Sequence, residues 1–136
     1  AVAKCRLQKH VSLKCCGIED YSGGPFDAVY FSGSFMILPN KLGMLRHCHA
    51  MLKDKKKGKI YFTQTLEHRG LVGSIMQWVK PALKHLTTID FGVVTYREQL
   101  VDVIEEAGLT VTESKIIGHG RFRDEVMIAA AMEMDA

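Results

Sequence analysis

The sequence predicts an α/β protein whose parallel strands are joined through a helix and whose chain closes in an antiparallel hairpin. Three observations carry this. Residues 26–66 run through an apolar strand, an amphipathic helical stretch and a second apolar strand, the order that lays two strands side by side in parallel. Residues 96–107 have strong helical periodicity, and the two β-rich runs after them are separated only by residues 118–124, too few for a crossover. No GxGxxG occurs anywhere, although strand–helix–strand units that bind nucleotides normally follow such a turn. The sequence therefore reads as the back half of a ligand-binding domain.

The elements follow in order. Residues 1–10 (AVAKCRLQKH) are rich in helix formers, with Val2, Cys5 and Leu7 apolar and no capping residue before them, so they read as a helix cut at its start. Residues 11–18 (VSLKCCGI) read as a strand closed by the polar turn 19–25. Residues 26–31 (FDAVYF) form a second strand, more apolar and so expected to be more central, which ends in the small residues Ser32, Gly33 and Ser34. Residues 41–52 place Leu42, Leu45, Cys48 and Leu52 on one stripe, as suits a helix packed on a sheet. Residues 59–66 (KIYFTQTL) are a third strand rich in β-formers. Residues 67–91 have no strand signature; 72–79 and 81–86 read as short helices with a break marked by Pro81, a helical insert. In the helix 96–107, Leu100, Val103, Ile104 and Ala107 form the apolar side, and Gly108 closes it. Residues 110–117 and 125–132 are the last two strands.

At 136 residues with 47% hydrophobic and 24% charged content, the chain has enough apolar material for one core and too little charge for disorder. A net charge of +3 is mild, and only residues 53–59 (KDKKKGK) gather lysines. That run falls between a helix end and a strand, where lysine favours the helix C-terminus and solvent, so nucleic-acid binding is not expected. The four cysteines (Cys5, Cys15, Cys16, Cys48) show no CxxC spacing; Cys15 and Cys16, adjacent in the expected strand, would face opposite sides. Reduced thiols, no signal peptide and no apolar run long enough to span a bilayer point to a cytoplasmic protein.

Taken in order, these elements resemble the C-terminal half of a class I S-adenosylmethionine-dependent methyltransferase. The resemblance rests on the acidic turn Glu19-Asp20, the strand Phe26-Asp27-Ala28-Val29, Leu38-Pro39, and the run from Leu52-Lys53 through Gly58-Lys59-Ile60. It rests also on the helix end Glu105-Glu106-Ala107-Gly108-Leu109 and the terminal hairpin. It implies one partial domain, 1–136, with a Rossmann-like sheet truncated by its first two strands and glycine-rich turn, and with 67–91 as an insert or lid. Without those strands the strand at Phe26 keeps an unpaired edge, through which two copies could dimerise.

The resemblance further implies S-adenosyl-L-methionine as cofactor. The end of the first strand here would meet the adenine, through Ile18 with Glu19 or Asp20, although Gly17 stands where the family places an acid. Phe31, Ser32, Gly33 and Ser34 would run past the methionine portion, with small residues that let the backbone approach closely. Ligands of open α/β sheets sit outside the carboxyl ends of the strands, where Ile18 to Asp20, Ser32 to Ser34 and Gln64 to Glu67 are expected together. His68 follows the third strand at that end and is the candidate general base. Trp78, in the apolar insert LVGSIMQWV, would line the pocket of a small or apolar acceptor. Methyl transfer needs chiefly alignment and exclusion of water, so no catalytic signature is required. Ser32-Gly33-Ser34-Phe35 replaces the (Asp/Asn)-Pro-Pro-(Tyr/Phe) of amino-group methylation and argues against such acceptors.

Other groupings are weaker. His47 and His49 diverge on a helix and cannot share a metal, so no metal site is expected. His119 with Arg121 and Arg123 could bind an anion or form a solvated hairpin tip. The competing functional reading is a degenerate fold of the same type, serving as a binding or scaffold module without catalysis. A dehydrogenase is disfavoured by the terminal hairpin.

Overall fold

The structure, a computed structural model, describes residues 10–68, 95–121 and 123–132. β1 (Ala28–Ser32) pairs in parallel with β2 (Lys59–Glu67), and α1 (Lys41–Ala50) connects them. α2 (Arg97–Glu106) leads into β3 (Leu109–His119), which turns back into β4 (Arg123–Met132). The sheet order is β1-β2-β4-β3, so β4 lies between β2 and β3 and runs antiparallel to both. The parallel pair and the terminal hairpin expected from the sequence are both present.

Alternation along β2 decides which face is buried. Ile60, Phe62 and Leu66 are at most 4% exposed, and the register sets Ile60 beside Ala130 and Phe62 beside Ile128 of β4. Leu45 and Cys48 of α1 and Leu100 and Ile104 of α2, all fully buried, belong to the same cluster. These are the stripe residues of the two sequence patterns, with Leu52 joining them beyond the end of α1.

The helix ends have identifiable causes. Asn40 caps α1 by accepting from the Gly43 amide at 3.0 Å, which satisfies one of the orphan donors of the first turn. At the other end Lys55 Nζ donates to the carbonyls of His49 (3.2 Å), Ala50 and Leu52 (2.7 Å). Asp54 accepts from the amides of Lys56 and Lys57, both at 2.9 Å, closing the turn. These amides hold the Asp54 carboxyl below the usual carboxylate range. One lysine of the basic run is therefore a helix cap. Gln99 Oε1 accepts from the Tyr96 amide at 3.0 Å at the start of α2, and Gly108 ends it at φ +82°.

Two expectations fail. Residues 11–18 are not a strand: a strand requires a ladder partner, and among the described residues none pairs with them. Residues 11–17 are exposed, Leu13 at 78%, and only Ile18 packs against the core. Cys15 and Cys16 are exposed thiols with no strand faces to divide them. Secondly, the central place that composition suggested for β1 is not seen: it is an edge strand, with Tyr30 57% exposed, and, as the resemblance implied, its outer side has no strand partner among the described residues. The expected helices at 1–10, 72–79 and 81–86, and Trp78 with them, lie outside the described residues, apart from His10 in a turn; of the insert 67–91 only Glu67, which ends β2, and His68 lie within them. No helix among the described residues is long and apolar enough to cross a membrane.

Candidate functional site

The carboxyl end of β1 is built on three phenylalanines. Phe31 stacks on Phe62 with centroids 5.5 Å apart and planes 5° apart, while Phe35 meets both rings edge-on, at 5.2 and 5.0 Å. Phe31 therefore contributes its ring to the core, and only its backbone is at hand for a ligand. Above this cluster Ser32, Gly33 and Ser34 are exposed. The Gly33 amide donates to the Thr63 carbonyl at 2.7 Å and so extends the ladder by one bond. Gly33 has φ +66°, a left-handed conformation that turns the chain into the 3-10 turn Phe35–Ile37, and a Cβ built on it would meet nothing within 4 Å among the described residues. The loop is thus an open backbone surface fixed from below.

The acidic turn lies elsewhere. The Asp20 amide bonds the Gly17 carbonyl and the Tyr21 amide bonds that of Ile18, each at 3.2 Å. The Tyr21 carbonyl accepts from His47 Nε2 at 2.9 Å, and its ring lies 6.1 Å from that of Phe26. Phe26 bridges Leu52 at the amino end of the parallel pair. These anchors tie Ile18, Glu19 and Asp20 to the end of β1 opposite Ser32 to Ser34, so the three expected ligand loops are not gathered at one end. A hollow of about 320 Å³ does open beside the turn, lined by Ser12, Lys14, Cys16, Gly17, Ile18 and Tyr21. Lys14 Nζ sits 5.1 Å from the Tyr21 ring centre, a cation–π distance.

β2 runs on past the end of β1. Ser32 is level with Thr63; His68 follows the end of β2, and its ring reaches Asp124, the partner of Leu66, three residues or about 10 Å further along at the rise of a strand. There His68 Nε2 lies 2.9 Å from Asp124 Oδ2, and His119 Nδ1 lies 3.2 Å from Asp124 Oδ1. A carboxylate only accepts, so both imidazole nitrogens must be the protonated, donating ones. The bond from His68, helped by that from His119, holds the Asp124 carboxyl below the usual carboxylate range. The His119 ring thus serves an acid in this structure. Asp124 is the residue that the sequence reading missed: it is 56 positions from His68, and only the pairing of Leu66 with Asp124 brings them together.

On β2, Gln64 Oε1 is buried and has no hydrogen-bond partner among the described residues. His47 and His49 bond different carbonyls, those of Tyr21 and Lys55. Among the described residues no group of three or more His, Cys, Asp or Glu side chains is placed to hold a metal.

No protein-family model matches the sequence, and no curated protein does. Solved structures do. The [4+2]-cyclase SpnF aligns with 98% of this chain and 61% of its own, at 13% identity and a TM-score of 0.71. The O-methyltransferase NcsB1 from neocarzinostatin biosynthesis, seen in complex with S-adenosyl-L-homocysteine and 1,4-dihydroxy-2-naphthoic acid, aligns with 97% of this chain and 37% of its own (13% identity, TM-score 0.67). The N,N-8-amino-8-demethyl-D-riboflavin dimethyltransferase RosA from Streptomyces davawensis likewise aligns with 97% and 37% (16% identity, TM-score 0.65). The fold is therefore the α/β sheet found in methyltransferases, and the chain spans between 37% and 61% of the length of these three structures.

Proposed function

We propose that this chain is the distal part of an S-adenosylmethionine-dependent methyltransferase that acts on a small-molecule acceptor. The observation that carries the reading is the sheet: parallel β1 and β2 joined through α1, with β4 inserted antiparallel between β2 and β3, matched by two methyltransferases over 97% of this chain. The open backbone of Ser32, Gly33 and Ser34 fits an extended cofactor passing the carboxyl end of β1, because among the described residues no side chain fills the space at Gly33. Ile18, Glu19 and Asp20 do not fit a contact with that same stretch of ligand, since their anchors are at the other end of the strand. When bound, S-adenosylmethionine would supply a methyl group on a positively charged sulfur, ready for displacement.

In this reading the chain's own residues bind and align. The phenylalanine cluster keeps the Ser32–Ser34 backbone at a fixed height, and the projecting ends of β2, β3 and β4 form a ledge on which the acceptor lies. Alignment of this kind can supply much of the rate for a displacement that needs no covalent enzyme intermediate. The acceptor would be small or apolar, with Trp78 against it. The open edge of β1 is where further strands or a second copy would pair.

A second reading, a binding module without catalysis, is favoured by Gly17, which stands where the family places an acid; a cyclase also shares this fold, so the sheet alone does not dictate methyl transfer. Calorimetry with S-adenosyl-L-homocysteine on the full-length gene product, followed by transfer of a labelled methyl group to a panel of small phenols, separates the two. Micromolar binding with label transfer is expected. Binding without transfer to any acceptor would favour the module, and no binding would overturn both uses of the cofactor. Residues 1–136 alone are expected to bind it weakly.

A further inference from the structure

His68 was expected as a general base, but the structure holds its ring on Asp124, the partner of Leu66, three residues beyond the level of Ser32, about 10 Å along the strand direction. A base must lie within hydrogen-bond reach of the proton that it removes at the methylated atom. A group so far from the cofactor-facing loop is placed to meet the remote end of an acceptor. The surroundings of His68 also fix which ligand group it can meet. Nε2–H is committed to Asp124 Oδ2, and among the described residues Nδ1 has no hydrogen-bond partner. In the neutral ring, with the proton held on Nε2, Nδ1 carries a lone pair and can only accept. His119 holds the other carboxylate oxygen, so the carboxylate is gripped on both sides. The His68 ring is half exposed, whereas Asp124 is 18% exposed, which leaves Nδ1 open to a ligand while the carboxylate stays covered.

We infer that His68 is an acceptor-recognition residue, with Asp124 as its positioning residue, and that they select substrates carrying a hydrogen-bond donor, such as a hydroxyl, well away from the methylated atom. This rests on the methyltransferase reading above for its biological meaning, but the hydrogen-bond polarity of the site stands on the geometry alone. No proton is transferred to His68 in this role. The last register pairs before it are Leu66 with Asp124 and Glu67 with Arg123.

The test has two arms. In the 136-residue chain labelled with ¹⁵N-histidine, the ring nitrogens of His68 should show the Nε2–H tautomer, and Asp124→Ala should release it to a mixture. Millimolar phenol should shift His68 Nδ1 in the wild type, whereas anisole, which lacks the donor, should not. Asp124→Glu, which retains a carboxylate, should restore part of the phenol response and guards against a folding defect in the alanine variant. An unchanged tautomer in Asp124→Ala, or equal responses to phenol and anisole, overturns the inference. In the full-length enzyme, with whichever phenol accepts label, His68→Ala should raise KM about tenfold or more with kcat within about threefold, the pattern of lost substrate binding. A fall of kcat by about a hundredfold at constant KM is the mark of a general base, and would overturn it. A wild type that transfers no methyl group to any acceptor would remove the methyltransferase reading, while the tautomer and phenol arms would still decide the polarity of the site.

Discussion

Phe35→Ala is the sharpest test of the packing beneath the Ser32–Ser34 loop. Phe35 is 1% exposed and meets Phe31 and Phe62 edge-on. Truncating a buried phenylalanine costs about 3–5 kcal/mol, a large part of the roughly 5–15 kcal/mol that holds a domain folded. The aromatic share can be isolated. Each edge contact adds about 0.5–1.5 kcal/mol beyond buried area, so Phe35→Leu, which keeps most of the volume, should cost about 1–2 kcal/mol. Urea unfolding followed by far-ultraviolet circular dichroism would measure both. Because Phe35 opens the 3-10 turn directly after Ser34, the cofactor reading proposed above requires that the leucine variant also weaken binding of S-adenosyl-L-homocysteine. The reasoning fails if the alanine variant loses less than about 1 kcal/mol, the scale of an ordinary surface change, or if leucine costs as much as alanine.

Three further outcomes are expected. Lys55→Met should cost about 0.5–1 kcal/mol through loss of the cap on α1, whereas Lys56→Met and Lys57→Met should stay within about 0.5 kcal/mol; thermal unfolding distinguishes them. Burial pushes the Cys48 thiol from 9.0 up to about 11. Iodoacetamide at neutral pH should therefore modify Cys15 and Cys16 in the folded chain and spare Cys48, as mass spectrometry of the peptides would show. The unfolded chain releases the Cys48 proton near pH 9 while the folded one keeps it to about 11, so stability should fall as pH rises through that window, and Cys48→Ala should flatten the fall.

Much of this was legible in the residues. The stripes of Leu45 with Cys48 and of Leu100 with Ile104 are helical spacings, and they define the buried faces that the structure shows. Short spacing between the last two β-rich runs forced an antiparallel hairpin. What failed was whatever depends on a neighbour. Residues 11–18 have the composition of a strand, yet composition does not supply a ladder partner. The lysine run contains four nearly equivalent side chains before Gly58, and only the position of the last turn of α1 selects Lys55 as the cap. The His68–Asp124 contact depends on a strand pairing across 56 residues, and no local pattern announces it.

The placement of β4 between β2 and β3 has a consequence for synthesis. On the ribosome β2 emerges long before the strand that covers its inner side, because Arg123–Met132 follows every other strand of the sheet. Until then β3 has no partner among the described strands, and the β2 edge that β4 will cover is open to other chains. The two sides of the sheet can join only in one late step, so this sheet should assemble slowly and all at once, and chaperone holding during translation would matter most over the stretch between β2 and β4.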